Sequence, residues 1–246
     1  MAEVTVATWN VFLNEAFPQA DRIGDITDKL VELDNRLNLS AIALQEMMVL
    51  GDDHHGNVIA DKLRMEGLWV PHSRSKLGEN IGLIGHDLQG LTKKDLGHNK
   101  TAVKGYLGDT AIVSVHLRKQ RGKQLPRGPE QVEQTEELLD WVADDEKALI
   151  KGDLNCLPFH KPRKMIEEAG FHSASDDLPI RRRATVPTPE FLGALSEKDR
   201  RAVRLIGRWL NVDDIYLRGL TAVDGGYEKG ASDHYLVWAR VSGIQI

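Results

Sequence analysis

Several apolar, strand-like runs in this chain stop at a side chain that can do chemistry. VTVATWN stops at Asn10, AIALQE at Glu46, AIVSVHL carries His116 at its end, and ALIKGDLN delivers Asp153 and Asn155. Near the C-terminus Ser232-Asp233-His234 stands directly before the apolar run YLVWARV. A run that ends on a carboxylate, amide or imidazole is how a sheet presents reactive groups at its rim. Together these groups suit hydrolysis of a phosphoester, an anion that repels nucleophiles unless its charge is neutralised. Glu46 is a suitable ligand for Mg²⁺, which takes oxygen donors and needs only one or two protein carboxylates, and Asn10 offers a neutral carbonyl oxygen beside it. Asp153 can accept a proton from an attacking water. Asn155, two residues on in an extended segment, falls on the same side and can hold a phosphate oxygen or orient Asp153. Gly152 lets the backbone turn sharply at the rim. His116 and His234, if protonated, would stabilise charge developing on phosphoryl oxygens. Each residue alone also has a bland reading, as a turn residue, a surface ion pair or a satisfied histidine.

The ordered set TWN, LQE, VHL, GDLN and SDH resembles the endonuclease/exonuclease/phosphatase superfamily, which includes DNase I-like and exonuclease III-like enzymes, and it spans nearly the whole chain. A sixth piece, VDDIYLRG, is similar to the family's late Asp-aromatic strand. The resemblance implies two packed mixed β-sheets with helices on both outer faces, a four-layer α-β-β-α sandwich in one domain over 1–246. It implies Asp153, Asn155, His116, His234 and Asp213 as catalytic residues, Asp213 being similar to the aspartate that pairs with the SDH histidine. Asp214 is adjacent and competes for that place. Glu46 and Asn10 would bind the metal, Mg²⁺ with Mn²⁺ able to substitute, and Asp233 would serve a second metal position or fix its neighbours.

The elements that must position these groups are also legible. Ile23, Ile26, Leu30, Leu33 and Leu37 recur at helical spacing over 22–37. Further helices are expected over 129–143, with Pro129 near the start, over 161–169, and over 197–210, with Ser196 as N-cap and Asp199 completing a capping box. Strands are expected at 3–9, 40–45, 80–85, 101–107, 110–116, 147–152, 212–217 and 234–241. Gly108-Asp109 reads as a tight hairpin. Helices between some strands and a hairpin between others make a mixed α/β pattern.

Composition bounds the partners. The chain has 246 residues, 41% hydrophobic and 28% charged, which is ordinary globular usage and enough for a sizeable core. The net charge of −5 argues against a protein that coats nucleic acid by bulk electrostatics. Local basic clusters stand out instead: Arg181 to Arg183, the arginines of 200–208, and Arg118 to Arg127 after His116. Arg118, Arg182 and Arg183 are the candidate substrate-binding residues. The single cysteine, Cys156, allows no internal disulfide and fits a reducing, cytoplasmic location. It reads as structural. No signal segment is evident at the N-terminus, and no apolar run has the length of a membrane span. Asp52-Asp53-His54-His55 reads as an exposed loop, and His72, His86, His98, His160 and His172 receive no role.

LQEMM and VSVHLRKQRGK depart from the exonuclease III-like pattern, and the Trp-Cys-Asp-Arg run of inositol-polyphosphate phosphatases is missing. The expected function is a nuclease or phosphodiesterase using an activated water. The alternatives are a hydrolase of a small phosphoester and, from another class, a binding module that keeps the fold without activity. The expected partner is a phosphoester substrate, with nucleic acid among the candidates, and neither a membrane nor an obligate protein partner is inferred.

Overall fold

The computed structural model describes residues 2–11, 19–47, 49–50, 53–71, 80–119, 129–178, 185, 197 and 211–246. The chain begins with β1 (Ala2–Asn10), α1 (Gln19–Leu37), β2 (Leu39–Met47), β3 (Val49–Leu50), β4 (Asp53–His54) and α2 (His55–Leu63). It continues through β5 (Glu66–Pro71), β6 (Asn80–Gly85), β7 (Gln89–Asp95), β8 (Thr101–Leu107), β9 (Thr110–His116), α3 (Pro129–Trp141) and β10 (Ala148–Asp153). It ends with α4 (Lys161–Glu168), β11 (His172–Ser173), α5 (Ala174–Asp177), β12 (Asp213–Arg218), β13 (Thr221–Glu228) and β14 (Leu236–Ile244).

Two six-stranded sheets face each other, ordered β13-β14-β1-β2-β6-β5 and β11-β12-β10-β9-β8-β7. Each is built around one parallel pair, β1 with β2 and β9 with β10, and every other neighbour is antiparallel. A parallel pair needs a crossover, and α1 and α3 supply it. Alternation within each strand sorts the side chains. Val4, Val6, Leu83, Ile112, Leu149, Ile215 and Val241 meet between the sheets. Trp9, Ile42 and Leu44 pack outward under Ile26, Leu30 and Leu33 of α1. Val113, Val115 and Ile150 pack outward under Leu138 of α3 and Ile166 of α4. The expected four-layer sandwich is the one observed.

The eight expected strands are the eight interior strands of the two sheets, while the edge strands β5, β7, β11 and β13 were not anticipated. Interior strands are covered on both faces and read as apolar runs. An edge strand such as β7, QGLTKKD, is mostly exposed and carries lysines that discourage further pairing. Gly108 turns the β8–β9 hairpin with φ +57, and a Cβ there would lie 1.8 Å from the Gln245 carbonyl oxygen. Of the expected exposed loop, Asp53 and His54 instead form β4, and His55 opens α2 and is buried. The expected helix over 197–210, with its Ser196 cap, lies outside the described residues apart from Glu197, as do Asp52 and His72. Among the described residues no helix is long and apolar enough to cross a membrane.

Candidate active site

The topology brings the polar strand ends to one rim. The two parallel pairs both finish there, so Asn10, Gln45, His116 and Asp153 arrive together, with Asn10 opposite Gln45 and His116 opposite Asp153 in register. Strand β12 runs against β10, so its first residue, Asp213, lies opposite Asp153. Strand β14 runs against β1, which puts Ser232, Asp233 and His234 just before its start at the same end.

Glu46 needs a device to join them. Strict alternation would turn it outward with Ile42 and Leu44, toward α1. The register instead slips between Leu44 and Met47, so two residues of β2 oppose one of β6. Such a bulge re-aims a side chain. Glu46 takes φ +57, a conformation that costs a non-glycine residue energy and is typically tolerated where function requires it. Its carboxylate then accepts from Asn10 Nδ2 at 3.1 Å. The same amide donates to Asp153 Oδ2 at 3.0 Å. Asn10 therefore turns its nitrogen, not the expected carbonyl oxygen, toward the carboxylates.

Asp153 is buried and held from several sides. Its Oδ1 accepts the Asn155 backbone N–H at 2.7 Å. Gly152 has φ +150, and a Cβ at that position would lie 1.8 Å from the Val115 carbonyl oxygen, so only glycine lets β10 run this close to β9. Burial, reinforced by the charge of Asp213, raises the Asp153 carboxyl to about 6. Asn155 is not in an extended segment as expected. It has φ +48, and its side-chain amide donates to the Leu117 carbonyl at 2.9 Å, so it orients Asp153 through the backbone and ties together the loops after β9 and β10. Gln131 of α3 braces the same loops, donating to the carbonyls of Arg118 and Asn155 at 2.7 and 2.9 Å.

The choice between Asp213 and Asp214 is decided by strand parity. Asp213 faces between the sheets and meets His234 Nδ1 at 2.8 Å. Asp214 points outward and pairs with the buried Arg163 at 2.6 Å. Burial alone would depress the His234 imidazole, but the charge and hydrogen bond of Asp213 outweigh it and raise it to about 10. His234 is therefore a cation at neutral pH. Its loop is fixed: Ser232 Oγ donates to the Asn10 carbonyl, Trp9 Nε1 to the His234 carbonyl, and Arg22 of α1 to the carbonyls of Val11 and Ala231.

His116 has different company. Lys100 Nζ lies 3.1 Å from its Nδ1 and 3.5 Å from its Nε2, and the same Nε2 lies 3.5 Å from Glu46 and 3.7 Å from Asp153. Lys100 was not singled out in the sequence. It follows three residues with positive φ, Gly97, His98 and Asn99, whose turn is anchored by Gln134 Nε2 on the Gly97 carbonyl. Removing the ammonium in Lys100→Met is expected to slow turnover about 10- to 100-fold, the loss for a hydrogen bond from a charged group of ~1.5–3 kcal/mol. Lys100→Arg should retain most of the rate. An unchanged kcat in Lys100→Met would remove Lys100 from the site.

Among the described residues, two sets of ligand-type atoms lie within 4.8 Å of one another: Glu46 with His116 and Asp153, and Asp153 with Asp213 and His234. The first is rich in hard oxygen donors and fits Mg²⁺. Asp233 belongs to neither set. Its Oδ1 is 4.0 Å from His234 Nε2, and burial raises its carboxyl. Arg118 is paired with Glu130 of α3 at 3.1 Å. Arg182 and Arg183 lie outside the described residues. Cys156 is buried, and that burial lifts its thiol to about 11, which leaves it protonated and unreactive.

Neither a protein-family model nor a curated protein sequence matches the chain. Solved structures do. An endonuclease/exonuclease/phosphatase from Bacteroides vulgatus superposes with TM-score 0.75 at 14% identity, over 98% of this chain and 99% of that one. A D. rerio TDP2 complexed with a single-strand DNA product gives 0.69 at 12% identity, over 99% and 100%. The Bacteroides thetaiotaomicron mannosyl-6-phosphatase Bt3783 gives 0.66 at 13%, over 98% and 100%. Identities this low speak for the backbone rather than for the reaction, and the backbone agrees with the motif order read from the sequence: this chain has the fold of the endonuclease/exonuclease/phosphatase superfamily.

Proposed function

We propose that the protein is a divalent-metal-dependent phosphodiesterase in which Asp153 activates the attacking water. The observation that carries this reading is the meeting at one rim of two buried groups from facing sheets, Asp153 held by Asn10 and the Asn155 N–H, and His234 held by Asp213 at 2.8 Å. Asp153 is a buried carboxylate raised to about 6, and His234 is an imidazolium stabilised by Asp213. A carboxylate raised toward neutral pH suits a general base, and an imidazolium held by a carboxylate suits stabilisation of developing charge. Asp153, held by Asn10 and the Asn155 amide, takes the proton of water. His234 presents positive charge, and His116 its imidazole, to the phosphoryl oxygens. Glu46, with Asn10 after a turn of its amide, would hold Mg²⁺ or Mn²⁺, and the bound ion would neutralise phosphate oxygens and steady the leaving oxygen.

Charge favours a diester over a monoester. Four carboxylates, Glu46, Asp153, Asp213 and Asp233, converge here, with His234 and Lys100 beside them and Arg22 and Lys119 near Asp233 at the edge. A phosphodiester carries one negative charge, whereas a monoester approaches two at neutral pH, its second pKa being about 6. The structural likeness extends both to a TDP2 complexed with a single-strand DNA product and to a mannosyl-6-phosphatase, so the test compares substrates directly. Plasmid, single-stranded DNA, RNA, a generic diester and a generic monoester should be assayed with Mg²⁺, Mn²⁺ or EDTA. Diester hydrolysis that needs the metal is expected. Activity surviving exhaustive chelation, or confined to the monoester, would overturn the proposal.

The pH dependence follows from the same two groups. The base must be deprotonated, so kcat/KM should fall as pH drops through about 6 and Asp153 gains its proton. The imidazolium must keep its proton, so kcat/KM should fall again as pH rises through about 10. A profile at saturating Mg²⁺ with no acid limb would remove Asp153 as the base.

A further inference from the structure

The geometry points to Thr185 as the residue that aligns Asp213 with His234, an inference that rests on the catalytic reading of that pair. Asp213 and His234 belong to different sheets. They meet at the rim, across a junction that neither sheet's hydrogen bonding spans. Thr185 spans it. Its Oγ1 accepts two backbone N–H groups at the entry to β12, from Val212 and from Asp213 itself, each at 3.0 Å. Its carbonyl accepts the N–H of Tyr235, the residue after His234, at 2.8 Å. The side chain is fully buried. One residue, itself in neither strand, thus fixes the backbone of both partners.

The chemistry of the contact explains why a hydroxyl is needed. A hydroxyl oxygen has two acceptor lone pairs and can take both amides at once. Valine has nearly the same shape but would leave two buried N–H groups without partners, and the β12 entry would have to move to find them. The Asp213 to His234 contact of 2.8 Å tolerates little of that movement. Small displacements of positioned groups are costly, a shift of about 1 Å reaching 10²-fold in rate. Thr185 touches no reacting atom in this account, so it is a positioning residue and not a catalytic one.

The test is Thr185→Val against Thr185→Ser, with an NMR readout that requires no substrate. In the native protein the Nδ1 proton of His234, shared with Asp213, should appear as a slowly exchanging downfield resonance, and the Val212 and Asp213 amides should be protected from exchange. In Thr185→Val that resonance should shift or broaden. The protein should stay folded, and kcat on a diester should fall roughly 10- to 100-fold with KM within a few-fold. Thr185→Ser should restore both signal and rate. An unaltered His234 resonance in folded Thr185→Val would overturn the inference. Should that variant fail to fold, rapid exchange of the Val212 and Asp213 amides in the native protein would overturn it instead. A resonance that responds in a protein with no hydrolytic activity would leave the alignment standing and refute the phosphodiesterase reading.

Discussion

Asp153→Asn is expected to lower kcat by at least about 10²-fold, the lower end of what a general base contributes. Substrate affinity should change only a few-fold, because the amide keeps the shape and removes a charge that repels phosphate. The fold should survive. The carboxylate is buried and raised to about 6, so replacing it by a neutral group relieves the cost of keeping a charge there. Asn155→Ala should also slow turnover, though less, since its backbone N–H still reaches Asp153 and only the tie to the Leu117 carbonyl is lost. Combining Asp153→Asn with His234→Ala should cost less than the product of the two single losses, because both groups serve one transition state. Steady-state kinetics on a diester checks all of these. A fully active Asp153→Asn would move the base elsewhere.

Asp213→Asn should be comparably severe but for a different reason. It removes the countercharge that makes His234 an imidazolium, and kcat is expected to fall about 10²–10³-fold, as for loss of a preorganised charge-stabilising donor. It should also destabilise the protein by ~3 kcal/mol or more, since a buried ion pair loses one partner. Asp214→Asn supplies the contrast. It breaks the buried pair with Arg163, so the melting temperature should drop while the folded enzyme keeps its kcat. If Asp214→Asn lost turnover and Asp213→Asn did not, the parity assignment on β12 would be wrong.

Much of this molecule was legible in its sequence, for a reason that also marks the limit. Interior strands buried on both faces announce themselves as apolar runs, and the residues that end those runs collect at the sheet rim. That is why Asn10, Glu46, His116, Asp153 and His234 were found together. What was not legible depends on contacts between elements distant in the chain. Glu46 reaches the site through a bulge that no pattern in LQEMM marks. Lys100 lies in the turn before β8, and only the tertiary fold sets it on His116. Thr185 stands in a stretch without periodicity, and its role appears only when β12 and β14 are seen side by side. Lys151 occupies an inward position of β10 and is fully buried against the Ala41 carbonyl, where burial pushes its amine well below the usual range. By charge alone it would have been read as surface. Periodicity predicts which face a residue takes, but not what waits on that face.

The most direct test of the central claim is a single-turnover hydrolysis of a phosphodiester in ¹⁸O-labelled water with Mg²⁺, run beside Asp153→Asn. The account predicts one labelled oxygen on the phosphoryl product per turnover, at a rate that falls by at least about 10²-fold in the variant. Label found in the alcohol product, or an Asp153→Asn rate equal to the native one, would contradict it.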